Sequence, residues 1–356
     1  MEGKRETVAG EHPRRKIGAG CLLLLASLMI VAGFVLWETA LWVPRVRAIR
    51  SIEASGGQID GNRLSLPSWV WRPIRKAAWH YVIDEVTIYW TNATLANADV
   101  SGLAIVNEAS NLEMTNVDLT DDQFDVLSRQ QILETLQVRG AHRLTDAALD
   151  RVVSLKFLYA LIFVDCPQLT DAAIDRIERM PQLSHIGLSR SGVTDAGLER
   201  LAKMPQLRQL FLYDTKITDR GLVYLRGNAE IVELVIGGSN ITDAAMEHIG
   251  TLAGLCRFSL VNSAVTDAGL EHVRKLTGLY DLDLEGTKIT DVGVRHVSEL
   301  KNLWDLNLSG TNVTDAGLDH LKGSRELQHL VLHDTRVTAA KIEELRRAIP
   351  RVKVEK

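Results

Sequence analysis

ITDVGVRHVSELKNLWDLNLSGTN (Ile289–Asn312) and VTDAGLDHLKGSRELQHLVLHDTR (Val313–Arg336) are consecutive stretches of one pattern, each 24 residues long. In the first, Leu303, Leu306 and Leu308 belong to a run in which Leu306-Asn-Leu308 alternates apolar and polar, which predicts a short strand with its leucines on one side. In the second, Thr314 has the chemistry of a helix N-cap and Asp315 falls in the first turn, where the helix dipole favours an anion. Leu318 and Leu321 then recur at helical spacing. The period runs far beyond these two units. Thr-Asp pairs begin at Thr120, Thr145, Thr170, Thr194, Thr218, Thr242, Thr266, Thr290 and Thr314, in steps of 25, 25 and then 24, and a degenerate Thr338-Ala339 follows.

A second ladder keeps the same step. Cys166, Ser191, Thr215, Ser239, Ser263, Thr287, Thr311 and Thr335 each stand three residues beyond the last apolar strand residue. A small polar group there would satisfy turn backbone that is otherwise buried and costly. A strand and a helix in 24 residues, with leucines at fixed offsets, is the leucine-rich repeat pattern. The units resemble its cysteine-containing subclass, most visibly in FVDCPQLTDAAIDRI (Phe163–Ile177). The T-D-A-G-L segments at Thr194–Leu198, Thr266–Leu270 and Thr314–Leu318 are similar to repeats of bacterial membrane-anchored leucine-rich repeat proteins. The likeness spans Asn111 to Lys356, and most units carry Ser or Thr in place of the cysteine. It implies an α/β leucine-rich repeat solenoid: a right-handed arc with parallel strands on the concave face and helices on the convex face. It also implies protein–protein interaction as the use of that surface.

Composition agrees with such a body. The chain has 356 residues, 46% apolar and 5% aromatic, so aliphatic side chains form the interior and a disordered chain is excluded. Lys and Arg total 41 against 45 Asp and Glu, a balance that gives no reason to expect nucleic acid as a partner. Cys21, Cys166 and Cys256 are too few and too scattered for a disulfide scaffold or a zinc site. One 24-residue unit cannot bury enough surface to fold alone, so the array is expected to be one cooperative body.

Ahead of the array, Ile17 to Trp37 is 21 residues without a charge, long enough as a helix to cross a bilayer's hydrocarbon core. Lys4, Arg5, Arg14, Arg15 and Lys16 before it outnumber Arg45, Arg47 and Arg50 after it, which orients the amino terminus inward. The expected order is a cytoplasmic basic tail (1–16), a transmembrane signal anchor in the lipid bilayer (17–42), a connector with N-terminal cap (43–110), the repeats (111–338) and a C-terminal cap (339–356). The repeats would then lie outside the cytoplasmic membrane on a single-pass anchor; secretion after signal cleavage is the alternative, disfavoured by the length of the apolar run. In the connector, Gln58-Ile59 reads as extended and Val86–Trp90 as the first strand, while Trp69, Trp71, Trp79 and Trp90 suggest an aromatic plug over the first repeat or a collar on the membrane. A last helix and a strand at Val352–Val354 close the far end.

Residues between the strand leucines point to the concave surface and can be read as columns. Ile162, Phe211, Tyr213, Val235 and Val261 make an apolar centre, and Asp281, Asp283, Glu285 and Asp305 an acidic cluster beyond it; His185, Gln209 and Arg257 complete the candidate partner-binding face. A protein partner with an apolar anchor and a basic flank fits these columns. The carboxylates sit on an open arc with nothing to exclude water or shift a pKa, so catalysis and metal binding are not expected. His248, His272, His296 and His320 recur on the helix side as a product of duplication, because adjacent helices stand too far apart to share one ion. No phosphate loop, nucleophile elbow, H-E-x-x-H or CxxC occurs. The expectation is a binding or scaffolding module without enzymatic activity or cofactor. Recognition of a cell-envelope glycan or polymer is the alternative. The substrate-recognition role in a ubiquitin ligase, which some cysteine-containing repeat proteins perform, conflicts with the export signal.

Overall fold

The repeat period sets a coil in which each turn supplies one strand and one short helical segment. A computed structural model of the chain describes residues 57–63, 83–91, 109–117 and 119–356, with side chains from Ser110 onward. The segment read as an anchor (17–42), its basic tail and most of the connector lie outside the described residues, as do Trp69, Trp71 and Trp79. Among the described residues no helix is long and apolar enough to cross a membrane.

The described strands form one 13-stranded sheet in chain order: β1 (Gly57–Arg63), β2 (Ile83–Thr91), β3 (Ala109–Thr115), β4 (Thr135–Arg139), β5 (Ala160–Val164), β6 (His185–Ser189), β7 (Gln209–Phe211), β8 (Glu233–Val235), β9 (Arg257–Ser259), β10 (Asp281–Asp283), β11 (Asp305–Asn307), β12 (His329–Val331) and β13 (Lys353–Glu355). β1 pairs antiparallel with β2, and every later neighbour is parallel. The strand read at Val86–Trp90 lies within β2, and the closing strand falls one residue later than its sequence suggests.

Register keeps like with like. Leu136, Leu161, Ile186, Leu210, Leu234, Phe258, Leu282, Leu306 and Leu330 sit side by side on successive strands. All nine are buried, and with the helix-side aliphatics they belong to one continuous core running from Leu112 to Val352. On the other side of that core the segments after each threonine are short. Asp171–Ile177, Asp195–Leu201, Asp243–Ile249, Asp291–Val297 and Asp315–Leu321 are α-helices of two turns. Asp146–Arg151 and Gly221–Leu225 are 3₁₀ turns instead, a departure from a uniformly α-helical layer. Segments this short gain little from the α pattern over tighter i→i+3 bonding.

The threonines cap as expected: the hydroxyl accepts the N–H two residues on, as at Thr170, Thr242 and Thr314, or three residues on at Thr120 and Thr338. The paired aspartate does more than sit near a helix dipole. Its carboxylate reaches into the following repeat and accepts both the backbone N–H and the hydroxyl of that repeat's threonine. This clasp joins Asp121 to Thr145, Asp146 to Thr170, Asp171 to Thr194, Asp195 to Thr218, Asp219 to Thr242, Asp243 to Thr266, Asp267 to Thr290, Asp291 to Thr314 and Asp315 to Thr338, at 2.7–2.8 Å to N and 2.5–2.9 Å to Oγ1. The glycine three residues after the threonine leaves room for that carboxylate: a Cβ on Gly197, Gly221, Gly269, Gly293 or Gly317 would stand 2.3–2.6 Å from one of its oxygens. Gly269 and Gly293 also donate their N–H to it, at 3.1 and 2.9 Å.

The hydroxyl ladder closes the turn that leaves each strand. Ser191, Thr215, Thr287, Thr311 and Thr335 donate to the carbonyl three residues earlier at 2.6–3.0 Å. Cys166 makes a weaker bond, 3.7 Å from Sγ to the Val164 carbonyl, and burial pushes its thiol up to about 11, which leaves it unreactive. Two members depart from the ladder: Ser239 faces solvent, and the Ser263 hydroxyl is buried without a partner.

Candidate binding surface on the strand face

The alternation that buries the leucines turns the intervening side chains outward, and the parallel register stacks them in files. His185, Gln209, Glu233, Arg257, Asp281 and Asp305 are successive members of one file; Ile162, Gly187, Phe211, Val235, Ser259 and Asp283 form the next. A trough of about 600 Å³ opens over these files, and Ile162, Phe211, Tyr213, Val235, Arg257, Val261, Asp281 and Asp283 line it. His185 and Gln209 continue the first file without lining the trough. Asp305 and Glu285 lie beyond its acidic end.

Two glycines that the column reading passed over shape this floor. Gly187 stands between Ile162 and Phe211, and a Cβ there would lie 2.7 Å from Ile162 Cγ2, so the glycine cuts a notch between two apolar side chains. Gly237 lies beneath Tyr213: its missing Cβ would be 3.1 Å from the tyrosine ring and 2.2 Å from the Val261 carbonyl oxygen. The ring is held from both ends. Asn262 Nδ2 donates to Tyr213 Oη at 3.2 Å, and the Arg190 guanidinium sits 5.5 Å from the ring centroid. Tyr213 is therefore preorganised, and presenting it costs little entropy on binding.

Charge divides the surface. Arg257 forms an ion pair with Glu233 across adjacent strands, so its guanidinium is already engaged. Burial still pushes the Glu233 carboxyl up, although Arg257 pulls it down. Burial also raises Asp281, Asp283 and Asp305, with Asp305 beside Asp281 and Glu285 beside Asp283 adding repulsion. The expectation that this arc would leave pKa values unmoved is thus corrected: half-burial in the strand files desolvates the carboxylates even without a lid. His185 moves the other way, lowered by burial and then by Arg257, with Ser184 Oγ 2.7 Å from its Nδ1.

A raised acid binds its proton more readily folded than unfolded, so the ionised form weakens the fold above that pKa and the penalty fades as pH falls through it. Asp281→Asn and Asp283→Asn are expected to raise the unfolding free energy at pH 7, each by less than about 1 kcal/mol after solvent screening. Urea titrations should show the gain shrinking toward zero in acid; a gain independent of pH would assign it to packing instead.

Three exposed rings also escaped the column reading because they lie one residue before the strand. Tyr159, Tyr280 and Trp304 are 39–40% exposed. Tyr159 meets His185 edge-on at 5.3 Å between centroids, and Trp304 packs on His329 at 4.6 Å. The signal was available in the position preceding the first file. Among the described residues no three His, Cys, Asp or Glu side chains come together to hold a metal ion.

No family model and no curated protein matches the chain. Solved structures do. The yeast Rad7–Elc1 complex contains a chain similar over 95% of this protein and 93% of its own length, with a TM-score of 0.57 at 15% identity. Two internalins of Listeria monocytogenes are more distant in shape. InlF covers 81% of this chain and 93% of its own, with a TM-score of 0.46 at 14% identity. InlC2 covers 59% and 84%, with a TM-score of 0.43 at 18% identity. At 15% identity the likeness to the Rad7–Elc1 chain speaks for fold alone, and it agrees with the period, the parallel register and the strand-and-helix turn derived above. The chain has a leucine-rich repeat fold.

Proposed function

We propose that this protein is a binding module, not an enzyme, displayed outside the cytoplasmic membrane on the anchor at 17–42, and that its strand face takes up a protein partner. A parallel strand occupies ~4.8 Å along the array while a packed helix needs ~8–10 Å, which makes the strand side the inner, concave one. The observation that carries the reading is the trough itself: Ile162, Phe211, Val235, Val261 and the fixed Tyr213 ring beside half-buried Asp281 and Asp283, for which no ion pair forms among the described residues. An apolar anchor would fill the first part and a basic flank would meet the second. The Rad7 structure is that of a complex with Elc1, so a chain of this fold is seen in a protein assembly.

Replacing Phe211 and Tyr213 together by Ala is expected to weaken such a partner by ~2–4 kcal/mol. Calorimetry on the full chain with a captured partner checks this, and an unchanged affinity would remove the trough from the interface. Protease accessibility on intact cells tests the export: protection of the repeats would place them inside. A second reading, a cell-envelope glycan, draws support from the exposed Tyr280 and Trp304 faces, which suit sugar stacking. Partition of the captured ligand between protein and polysaccharide fractions separates the two.

A further inference from the structure

Tyr280 and Trp304 lie off the trough, on the edge where each turn enters its strand. They are consecutive rungs: Trp304 N–H donates to the Tyr280 carbonyl at 2.8 Å, and Asp305 N–H to the same oxygen at 2.9 Å. Both rings are 40% exposed, a large aromatic surface to leave in water. The Trp304 ring is packed on His329, with 4.6 Å between centroids. Each ring is followed directly by a carboxylate, Asp281 or Asp305, half-buried on paired strands.

An apolar partner laid on these rings would bring carboxylates that are already partly desolvated further out of water, and an anion would be repelled by them. A planar cation satisfies both groups, stacking on the π face while its N–H donors meet the carboxylate. The same chain already builds that combination internally, where the Arg190 guanidinium lies 5.5 Å from the Tyr213 ring centroid and 3.8 Å from Asp214 Oδ2. We propose that the Tyr280–Trp304 edge, with Asp281 and Asp305 as counter-charges, is a docking surface for an arginine-bearing protein segment. The proposal rests on the reading of the strand face as a protein-binding surface and assigns its basic flank a side-chain chemistry and a place.

Hexa-arginine, hexalysine and a neutral chitohexaose are titrated separately into the full chain, with circular dichroism confirming the fold of every variant. Hexa-arginine is expected to bind more tightly than hexalysine, because a guanidinium stacks and forks where an ammonium does not. Trp304→Ala should weaken hexa-arginine about tenfold while Trp304→Phe retains most of the affinity, and Asp281→Asn with Asp305→Asn should weaken it and flatten its salt dependence. Tyr224→Ala, an exposed ring on the helix side, should leave this binding unchanged. Equal affinity for both peptides, or no effect of Trp304→Ala, would reduce the edge to a diffuse negative field and overturn the proposal. Chitohexaose binding that depends on Trp304 would overturn it in favour of a glycan. Failure of the trough reading shows separately, as a natural partner indifferent to Phe211 and Tyr213.

Discussion

Asp243→Ala is expected to lower the unfolding free energy by about 3–5 kcal/mol, more than any surface carboxylate in this chain should cost. The side chain accepts three bonds from the next repeat, from Thr266 N at 2.7 Å, Thr266 Oγ1 at 2.7 Å and Gly269 N at 3.1 Å. Alanine leaves two backbone donors at a half-buried helix start without acceptors, which is the expensive direction of the loss. Asp175→Ala is the control. Its carboxylate meets Arg200 on the exposed helix side, and its removal should cost less than about 1 kcal/mol. Urea unfolding followed by circular dichroism distinguishes them. Similar small losses at both positions would show that the clasp is incidental to stability. Because the core is continuous through the affected repeat, the same experiment reads cooperativity: a second, earlier transition would mark separation of the array at the broken clasp.

Gly237→Val should be nearly as damaging, at about 2–4 kcal/mol, and should reach the binding surface as well. The added Cβ stands 2.2 Å from the Val261 carbonyl oxygen, which is backbone and cannot rotate away, and 3.1 Å from the Tyr213 ring, which must lift. The Tyr213–Asn262 hydrogen bond is then lost, and a partner that uses the tyrosine should weaken together with stability. Gly227→Val is the contrast: nothing lies within 4 Å of its missing Cβ, so its cost comes from a φ of +74° alone. If the two variants were equally stable, the close packing under Tyr213 would not matter.

The array was legible in the sequence because its period is strict and its leucines alternate, so a single unit predicts the next. The trough was legible for the same reason: once register is parallel and in step, columns of the sequence are columns on the sheet. The clasp was not, because Asp243 and Thr266 are 23 residues apart and a carboxylate near a helix start already has a sufficient local explanation in the dipole. The roles of Gly187 and Gly237 were hidden because a missing side chain announces nothing about what fills its place. The pKa directions of Asp281, Asp283 and Asp305 depend on neighbours in adjacent repeats and on depth in the files. The edge aromatics were missed because the columns were started one residue too late.

The clasp gives each unit from Thr145 to Thr314 a giving half and a receiving half on the same cassette, its aspartate serving the unit ahead and its threonine served by the one behind. Excising Asp219–Thr242 as a block would leave Thr218 followed by Asp243, with both halves of the joint intact. Duplicating that block would be as seamless. A lineage can therefore lengthen or shorten this scaffold in whole units, sliding the acidic end relative to the apolar one without inventing a new joint. At Thr338-Ala339 the receiving threonine is kept, clasped by Asp315, while alanine stands where the other units carry the giving carboxylate.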